Sequence, residues 1–118
     1  MAVKAKRSRA KAEHMVVSEA EKAVIAANRF MLREYPLGIL GGTPRRLNVK
    51  GADVWIVPVL LTSPGYGAVG EVGMVAVDAR NGAIVGSTPR ADVVASGKRL
   101  REEKRDDLEA AFLRARST

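Results

Sequence analysis

The sequence contains no cysteine and a single histidine among its 118 residues. Without cysteine, the chain can build neither disulfides nor thiolate chemistry, and a reducing compartment is the expected setting. The one histidine, His14, lies in a basic tail, so neither a Ser-His-Asp triad nor a histidine metal cluster can be assembled. We therefore expect no enzyme, no metal and no cofactor.

Aromatic residues and long apolar runs are also scarce. There are only five aromatic residues, so the core must be built from aliphatic side chains. No apolar run approaches the ~20 residues that a membrane-spanning helix needs. The N-terminus is basic but lacks the apolar stretch of a signal peptide. These absences predict a cytoplasmic protein with no membrane partner.

The net charge of +7 is concentrated toward the ends of the chain. Residues 15–92 are nearly neutral, with eight basic and seven acidic groups. Residues 1–14 hold one acidic group, Glu13, and five basic ones: Lys4, Lys6, Arg7, Arg9 and Lys11. Such an arm is either a disordered solubilising segment or a non-specific binder of nucleic-acid phosphates. It has no aromatic residue for stacking on bases, which argues against recognition of a specific nucleic-acid sequence.

A helix is predicted over residues 19–34. Ser18 and Glu21 form a capping box at its start, and Pro36 with Gly38 ends it. Apolar residues recur at spacings of three and four, which predicts one buried stripe: Ala20, Ala23, Val24, Ala27, Phe30 and Met31.

The middle of the chain predicts an antiparallel hairpin of Asp53–Thr62 with Glu71–Ala79. Residues 53–62 are rich in β-branched side chains, and Pro58 marks a bulge, an edge or a point where pairing changes. The second strand alternates, so Val72, Met74 and Ala76 should share one face. The same alternation places Glu71 and Asp78 on opposite faces.

Shorter elements flank this hairpin. Arg46–Val49 is predicted as a short strand and residues 36–46 as loop. Residues 80–82 (Arg-Asn-Gly) favour a tight turn, because Asn and Gly tolerate positive φ. Ala83–Ser87 is then the returning strand.

Residues 65–72 read GYGAVGEV, which matches the GxGxxG pattern. Dinucleotide binding requires a helix after the glycines, but a strand follows here. A kinase-type loop requires a lysine on the next strand together with HRD and DFG motifs, none of which is present. The segment is therefore predicted to be a flexible hairpin loop, with Tyr66 at its tip as an exposed contact residue.

The C-terminal part predicts a second helix, capped by Thr88 with Pro89 in its first position. A continuous helix from Pro89 to Ala115 would be about 40 Å long, so it must either break, with Gly97 the expected place, or overhang the domain. Residues 101–107 are all charged, and an apolar stripe then resumes with Leu108, Ala111, Phe112 and Ala115. That stripe is either a frayed helical end or a surface that docks on another protein or on a second copy.

These elements predict an α+β fold. An N-terminal helix packs on a three- to four-stranded antiparallel meander, and a C-terminal helix follows. The expected organisation is a basic arm over residues 1–16, an α+β domain over 17–97 and a charged helical tail over 98–118.

Two strings carry a resemblance to known families. VAVDARNGAIVGSTP, with the preceding helix and hairpins, resembles PepSY-type and YrhB-like immunity domains over about residues 17–90. VWIVPVLLTSPGYGAVGEVGMVAVDA, with the later STPR and the charged tail, is similar to small bacterial proteins that look like antitoxins encoded beside nuclease toxins. The resemblance implies a non-enzymatic protein that neutralises its partner by covering the partner's site with a terminal helix.

The resemblance also implies which residues meet the partner. In antitoxins of PIN-type ribonucleases a basic tail residue engages the acidic metal-binding pocket, a role open to Arg114 or Arg116. With Tyr66, Leu108, Ala111 and Phe112, these form the predicted partner-binding set. A homodimer is also open, and the alternative function is a nucleic-acid-binding accessory protein that uses the basic arm. A small enzyme would need a partner chain to supply its missing groups.

Overall fold

The computed structural model of the chain describes residues 18–36 and 38–117. A helix is followed by five strands and two further helices, which confirms the predicted α+β class. The predicted arm over residues 1–16 lies outside the described part. The elements are α1 (Glu19–Glu34), β1 (Ile39–Gly41), β2 (Arg45–Val49), β3 (Ala52–Ser63), β4 (Gly67–Asp78), β5 (Ile84–Ser87), α2 (Arg90–Glu103) and α3 (Arg105–Ser117).

Helix α1 has the predicted bounds. The Ser18 hydroxyl accepts a hydrogen bond from the Glu21 backbone N–H at 3.1 Å, as a capping residue does. Ala23, Ala27 and Met31 are buried at successive four-residue intervals, so the predicted stripe is the face that packs on the sheet.

The sheet is centred on β3, which pairs with β4 along one edge and with both β2 and β1 along the other. β2 pairs with the first half of β3 and β1 with the second half. Pro58 lies where these two partners meet, and its carbonyl accepts a hydrogen bond from Gly42 at 2.8 Å. Pro58 therefore marks a change of pairing, one of its three predicted roles, since it has no N–H to donate.

Two register shifts in the β3–β4 pair correct the predicted alternation of β4. Val59 pairs with Gly73 but Leu60 with Glu71, so Val72 is an extra residue at a bulge. Val72 is therefore buried in the core, and the prediction that it shares a face with Met74 and Ala76 is wrong.

The same bulge changes where the acidic residues of β4 lie. By register, Glu71 lies beside Leu60 and Asp78 beside Val54, two residues of β3 that are separated by an even offset. Glu71 and Asp78 therefore share one face of the sheet, and the prediction of opposite faces is wrong. They lie about 20 Å apart along the strand at ~3.3 Å per residue, so they do not form a carboxylate pair.

Strand β1 falls in the segment that was predicted as loop. Its backbone is fixed from outside the sheet as well, because the Gly41 N–H donates to the Asn28 side chain at 2.9 Å. A Cβ at Gly41 would come within 2.9 Å of that Asn28 oxygen, so glycine allows α1 to approach the sheet closely.

Two predictions about the second helix are wrong. Thr88 is not its cap: Pro89 occupies that position, and the Thr88 hydroxyl accepts a hydrogen bond from the Met74 N–H instead. The helix breaks at Lys104 and not at Gly97, which is buried inside α2. A Cβ at Gly97 would make ordinary van der Waals contact with Leu61 at 3.9 Å, so this glycine neither breaks the helix nor is required for its packing. The predicted domain boundary after residue 97 thus lies inside α2.

Helices α1 and α2 lie on one side of the sheet, which we call the helix face. The core there joins α1 and α2 to β3 and β4, with Val57, Val59, Val75, Val77 and Val93 fully buried. No helix of the described part of the chain is long and apolar enough to cross a membrane.

Candidate protein-binding surfaces

Helix α3 packs back on its own domain through two residues of the predicted partner-binding set. Ala111 is 1% exposed, and Leu108 packs against the hydrophobic core. The break at Lys104 makes this possible, because it lets the chain turn after α2 and bring α3 over the β3–β4 turn. These two side chains are therefore used within the chain.

Gly65, in the β3–β4 turn, is the contact point for α3. Its φ is +76°, a conformation that favours glycine. A Cβ on Gly65 would collide with the backbone carbonyl of Ala111 and lie 3.1 Å from the Cβ of Ala115. The turn at Gly65 is thus a docking point for α3. The rest of the predicted glycine-rich loop, from Gly67 onward, is strand β4, so the prediction of a loop there is wrong.

Tyr66 is also involved in this junction. Lys104 donates a hydrogen bond to the Tyr66 hydroxyl at 3.2 Å, and its ammonium lies 5.7 Å from the ring centroid. A cation so placed is attracted to the ring face. Tyr66 is therefore partly covered, and it ties the end of α2 to the hairpin tip.

The outer surface of α3 keeps its large side chains exposed. Phe112 is 45% and Leu113 59% exposed, and the Arg116 guanidinium lies 5.9 Å from the Phe112 ring. We call Phe112, Leu113, Arg114 and Arg116 the distal patch. Beside it lies an open groove of about 340 Å³, lined by Ser63, Arg101, Glu102, Arg105, Leu108, Glu109 and Phe112. An aromatic ring beside a groove with charges of both signs is typical of a protein contact surface.

A second exposed surface lies on the side of the sheet opposite the helices, which we call the open face. The register places Leu40, Leu47, Val54, Ile56, Pro58, Leu60, Met74 and Ala76 there. Val54 and Ile56 are buried, whereas Leu40, Leu47 and Met74 are about half exposed. No described helix covers this face, and its half-exposed side chains form an apolar patch.

The open face was not among the predicted binding sites, although the sequence contains a signal for it. Residues 54–61 are apolar at every position and not at alternate ones. A continuous apolar strand is typical of a sheet that is covered on both faces. The helices of the described chain cover only one of them.

A small polar cluster lies at the β2 end of the helix face. Asp53 accepts hydrogen bonds from Arg46 at 2.9 Å and from Asn48 at 3.1 Å, and Arg46 also lies 5.7 Å from the Trp55 ring centroid. The hydrogen bond from Arg46 and, to a smaller extent, the hydrogen bond from Asn48 lower the pKa of the Asp53 carboxyl. The buried Trp55 indole N–H has no hydrogen-bond partner among the described residues.

The remaining predicted site residues are those of the alternative function. Lys4, Lys6, Arg7, Arg9 and Lys11 lie outside the described residues. Over residues 18–36 and 38–117, no group of three or more His, Cys, Asp or Glu side chains is placed to hold a metal ion.

Comparison of the chain with protein-family models, with curated proteins and with solved structures finds no match.

Proposed function

We propose that this chain is a non-enzymatic protein-binding module of the antitoxin or immunity type, which neutralises a partner by covering it with α3. The observation that carries the proposal is the position of Phe112. Its ring is exposed on a helix that Leu108 and Ala111 hold against the domain. A contact residue that is already ordered loses less conformational entropy when it binds.

The composition of the distal patch supports a protein partner. Aromatic and arginine side chains are enriched among the residues that dominate binding energy at protein interfaces. The Arg116 guanidinium lies 5.9 Å from the Phe112 ring centroid, so both groups would meet the same part of a partner. Arg114, on the same helix, offers a second cation.

The partner class follows from the charge of the patch and from the resemblance given above. A PIN-type nuclease has an acidic metal-binding pocket, and Arg114 or Arg116 would supply the cation that enters it. Phe112 would then pack at the rim of the pocket. Occlusion of this kind needs no catalytic group on this chain.

Neutralisation in cells tests the proposal. The proteins encoded beside this chain are expressed one by one, and those that arrest growth are co-expressed with it. Growth should be restored by the wild type and lost with Phe112→Ala or Arg116→Glu. Leu32→Ala, at an exposed apolar position on α1, is the control and should restore growth fully. Rescue by all three variants alike, or no complex with any neighbour-encoded protein, would refute the proposal.

Point substitutions are preferable to truncation after Leu100. Truncation would remove Leu108 and Ala111 as well, and so uncover part of the core that α3 protects. Loss of neutralisation would then report misfolding as well as lost contact. Phe112 and Arg116 are exposed, so their replacement changes the surface and leaves the core intact.

The second candidate function is nucleic-acid binding by the basic arm, which rests on the five basic groups within residues 1–14. Affinity for DNA or RNA should then fall steeply with salt, because phosphate contacts release counterions. It should also fall when residues 2–14 are removed. Binding that ignores salt, or no binding at all, would refute this alternative.

A further inference from the structure

The open face has the size of a small protein interface. β3 and β4 each contain 12 residues, and the sheet is four strands wide because β1 and β2 share one edge of β3. The other strands are shorter, with three residues in β1, five in β2 and four in β5. At ~3.3 Å per residue and ~4.8 Å between strands, the face covers about 570 Å². Stable complexes bury about 800 Å² on each partner and weak ones less than about 600 Å², so this face has the area of a weak, reversible dimer.

The centre of the open face is apolar and without formal charge. The β3 residues Val54, Ile56, Pro58 and Leu60 form its midline, with Met74 beside them on β4. Two sheets that pack face to face bring such midlines together about 10 Å apart, with their side chains interdigitated. The open face is therefore suited to a second sheet.

Charges lie at the two sides of this midline and differ in sign. Arg45 lies on the β2 side, in register with Ile56. Glu71 and Asp78 lie on the β4 side, in register with Leu60 and Val54. Asp78 is ion-paired with Arg80 at 3.8 Å, so Glu71 supplies the net negative charge of that side. The bulge at Val72 is what brings Glu71 onto this face.

The sign difference selects the orientation of two facing copies. A two-fold axis parallel to β3 places the β2 side of one copy over the β4 side of the other, so Arg45 faces the acidic side of its mate. A two-fold axis across the strands places the acidic sides over each other, which like-charge repulsion opposes. We propose that the open face is the interface of a homodimer whose two-fold axis runs parallel to β3.

A second copy fits the face better than residues 1–17 of the same chain do. That segment carries five lysines and arginines. Placing them against the apolar midline would remove their charges from water without supplying enough partners. A second copy supplies both an apolar midline and charges of the matching sign.

Sedimentation of the full 118-residue chain over a concentration series tests the proposal. The wild type should dimerise reversibly, and Met74→Glu should weaken the dimer on the order of a hundredfold, because it buries an unpaired carboxylate on each copy. Ile25→Glu on α1 is the matched control: Ile25 and Met74 are both 43% exposed. The control should dimerise like the wild type. Circular dichroism checks that each variant is folded. If Met74→Glu does not fold, Leu47→Glu replaces it as the interface variant.

Charge variants then test the orientation. Arg45→Glu should weaken the dimer on the order of tenfold, whereas Arg99→Glu, which makes the same charge change on α2, should not. Adding Glu71→Arg to Arg45→Glu should restore part of the affinity, because the signs on the two sides are exchanged together.

Three results would overturn the proposal. The first is a wild type that is monomeric at every concentration. The second is a dimer that Met74→Glu and Leu47→Glu leave unchanged, which would place the interface elsewhere. The third is a chain that dimerises only after residues 2–17 are deleted, which would make that segment the natural cover of the face.

Discussion

The two faces of the sheet are built from the same strands but are treated differently by the rest of the chain. On the helix face, Val57, Val59, Val75 and Val77 are fully buried beneath α1 and α2. On the open face, Leu40, Leu47 and Met74 remain about half exposed. Strand β3 sends apolar side chains to both sides. The difference between the faces therefore lies in what covers them.

This comparison separates stability from function. Side chains of the helix face hold the domain together, so their loss should lower the free energy of unfolding. The exposed side chains of the open face and of the distal patch should affect association and leave the fold in place. Predictions that pair one substitution on each surface test this separation directly.

The largest effect should come from replacing a methionine with alanine, first on the helix side of the sheet and then on the open face. Met31→Ala removes a side chain that is buried against the helix face and should cost about 2–5 kcal/mol of unfolding free energy. Met74→Ala removes a half-exposed side chain and should cost less than about 1 kcal/mol at concentrations where the chain is monomeric. Urea denaturation measures both values. Equal costs would contradict the difference between the faces.

The next effect concerns the turn that holds α3 over the end of the helix face. Gly65→Ala strains a positive φ and also pushes against Ala111, so it should cost about 2–3 kcal/mol and speed hydrogen exchange in α3. Gly67→Ala is the control: its φ is +90°, but a Cβ there would meet no atom of the described residues within 4 Å. The control should cost only about 1 kcal/mol. Unchanged exchange in α3 for Gly65→Ala would argue against the docking of this helix.

A smaller effect is expected from the polar link between α1 and the start of α2. The Tyr35 hydroxyl donates a hydrogen bond to the Thr88 carbonyl, and burial raises the pKa of Tyr35, so the donor stays protonated at neutral pH. Tyr35→Phe should cost about 1 kcal/mol, the usual contribution of such a bond. A stabilised variant in thermal unfolding would show that the bond is not formed.

The smallest effect concerns Asp53, at the part of the helix face that no described helix covers. Its pKa is lowered in the folded chain, so its ion pair stabilises the fold above the unfolded pKa of ~3.9 and is lost as the pH falls through the folded value. Arg46→Ala should raise the pKa of Asp53, with little change in stability because both side chains are exposed. An NMR titration of the Asp53 carboxyl that gives the same pKa in both proteins would contradict this.

Local signals in the sequence predicted the regular elements well. α1 follows from its cap and its stripe of alanines, and the β3–β4 hairpin follows from β-branched runs around glycines. Strand β1 was missed because three residues between prolines and glycines carry no periodicity of their own. They become a strand by pairing with β3 and by the bond from Gly41 to Asn28.

Tertiary contacts account for what the sequence left open in the candidate surfaces. Gly97 was expected to break the helix, but it lies buried inside α2, and the break falls at Lys104. Leu108 and Ala111 looked equally available for a partner until the turn at Gly65 placed α3 on its own domain. The bulge at Val72 has no local signal in the sequence, and it changes which face of the sheet the β4 residues lie on.

Nuclear Overhauser contacts between two differently labelled copies test the central claim, that the open face is an interaction surface, most directly. Within one chain the Leu40 and Met74 methyls lie about 10 Å apart or more, since β3 separates their strands. In a dimer with its two-fold axis parallel to β3, Leu40 of one copy lies over the β4 side of the other. The account predicts an intermolecular Leu40–Met74 contact in an isotope-filtered spectrum. A sample at dimer-forming concentration that gives no intermolecular contact from any open-face methyl would contradict it.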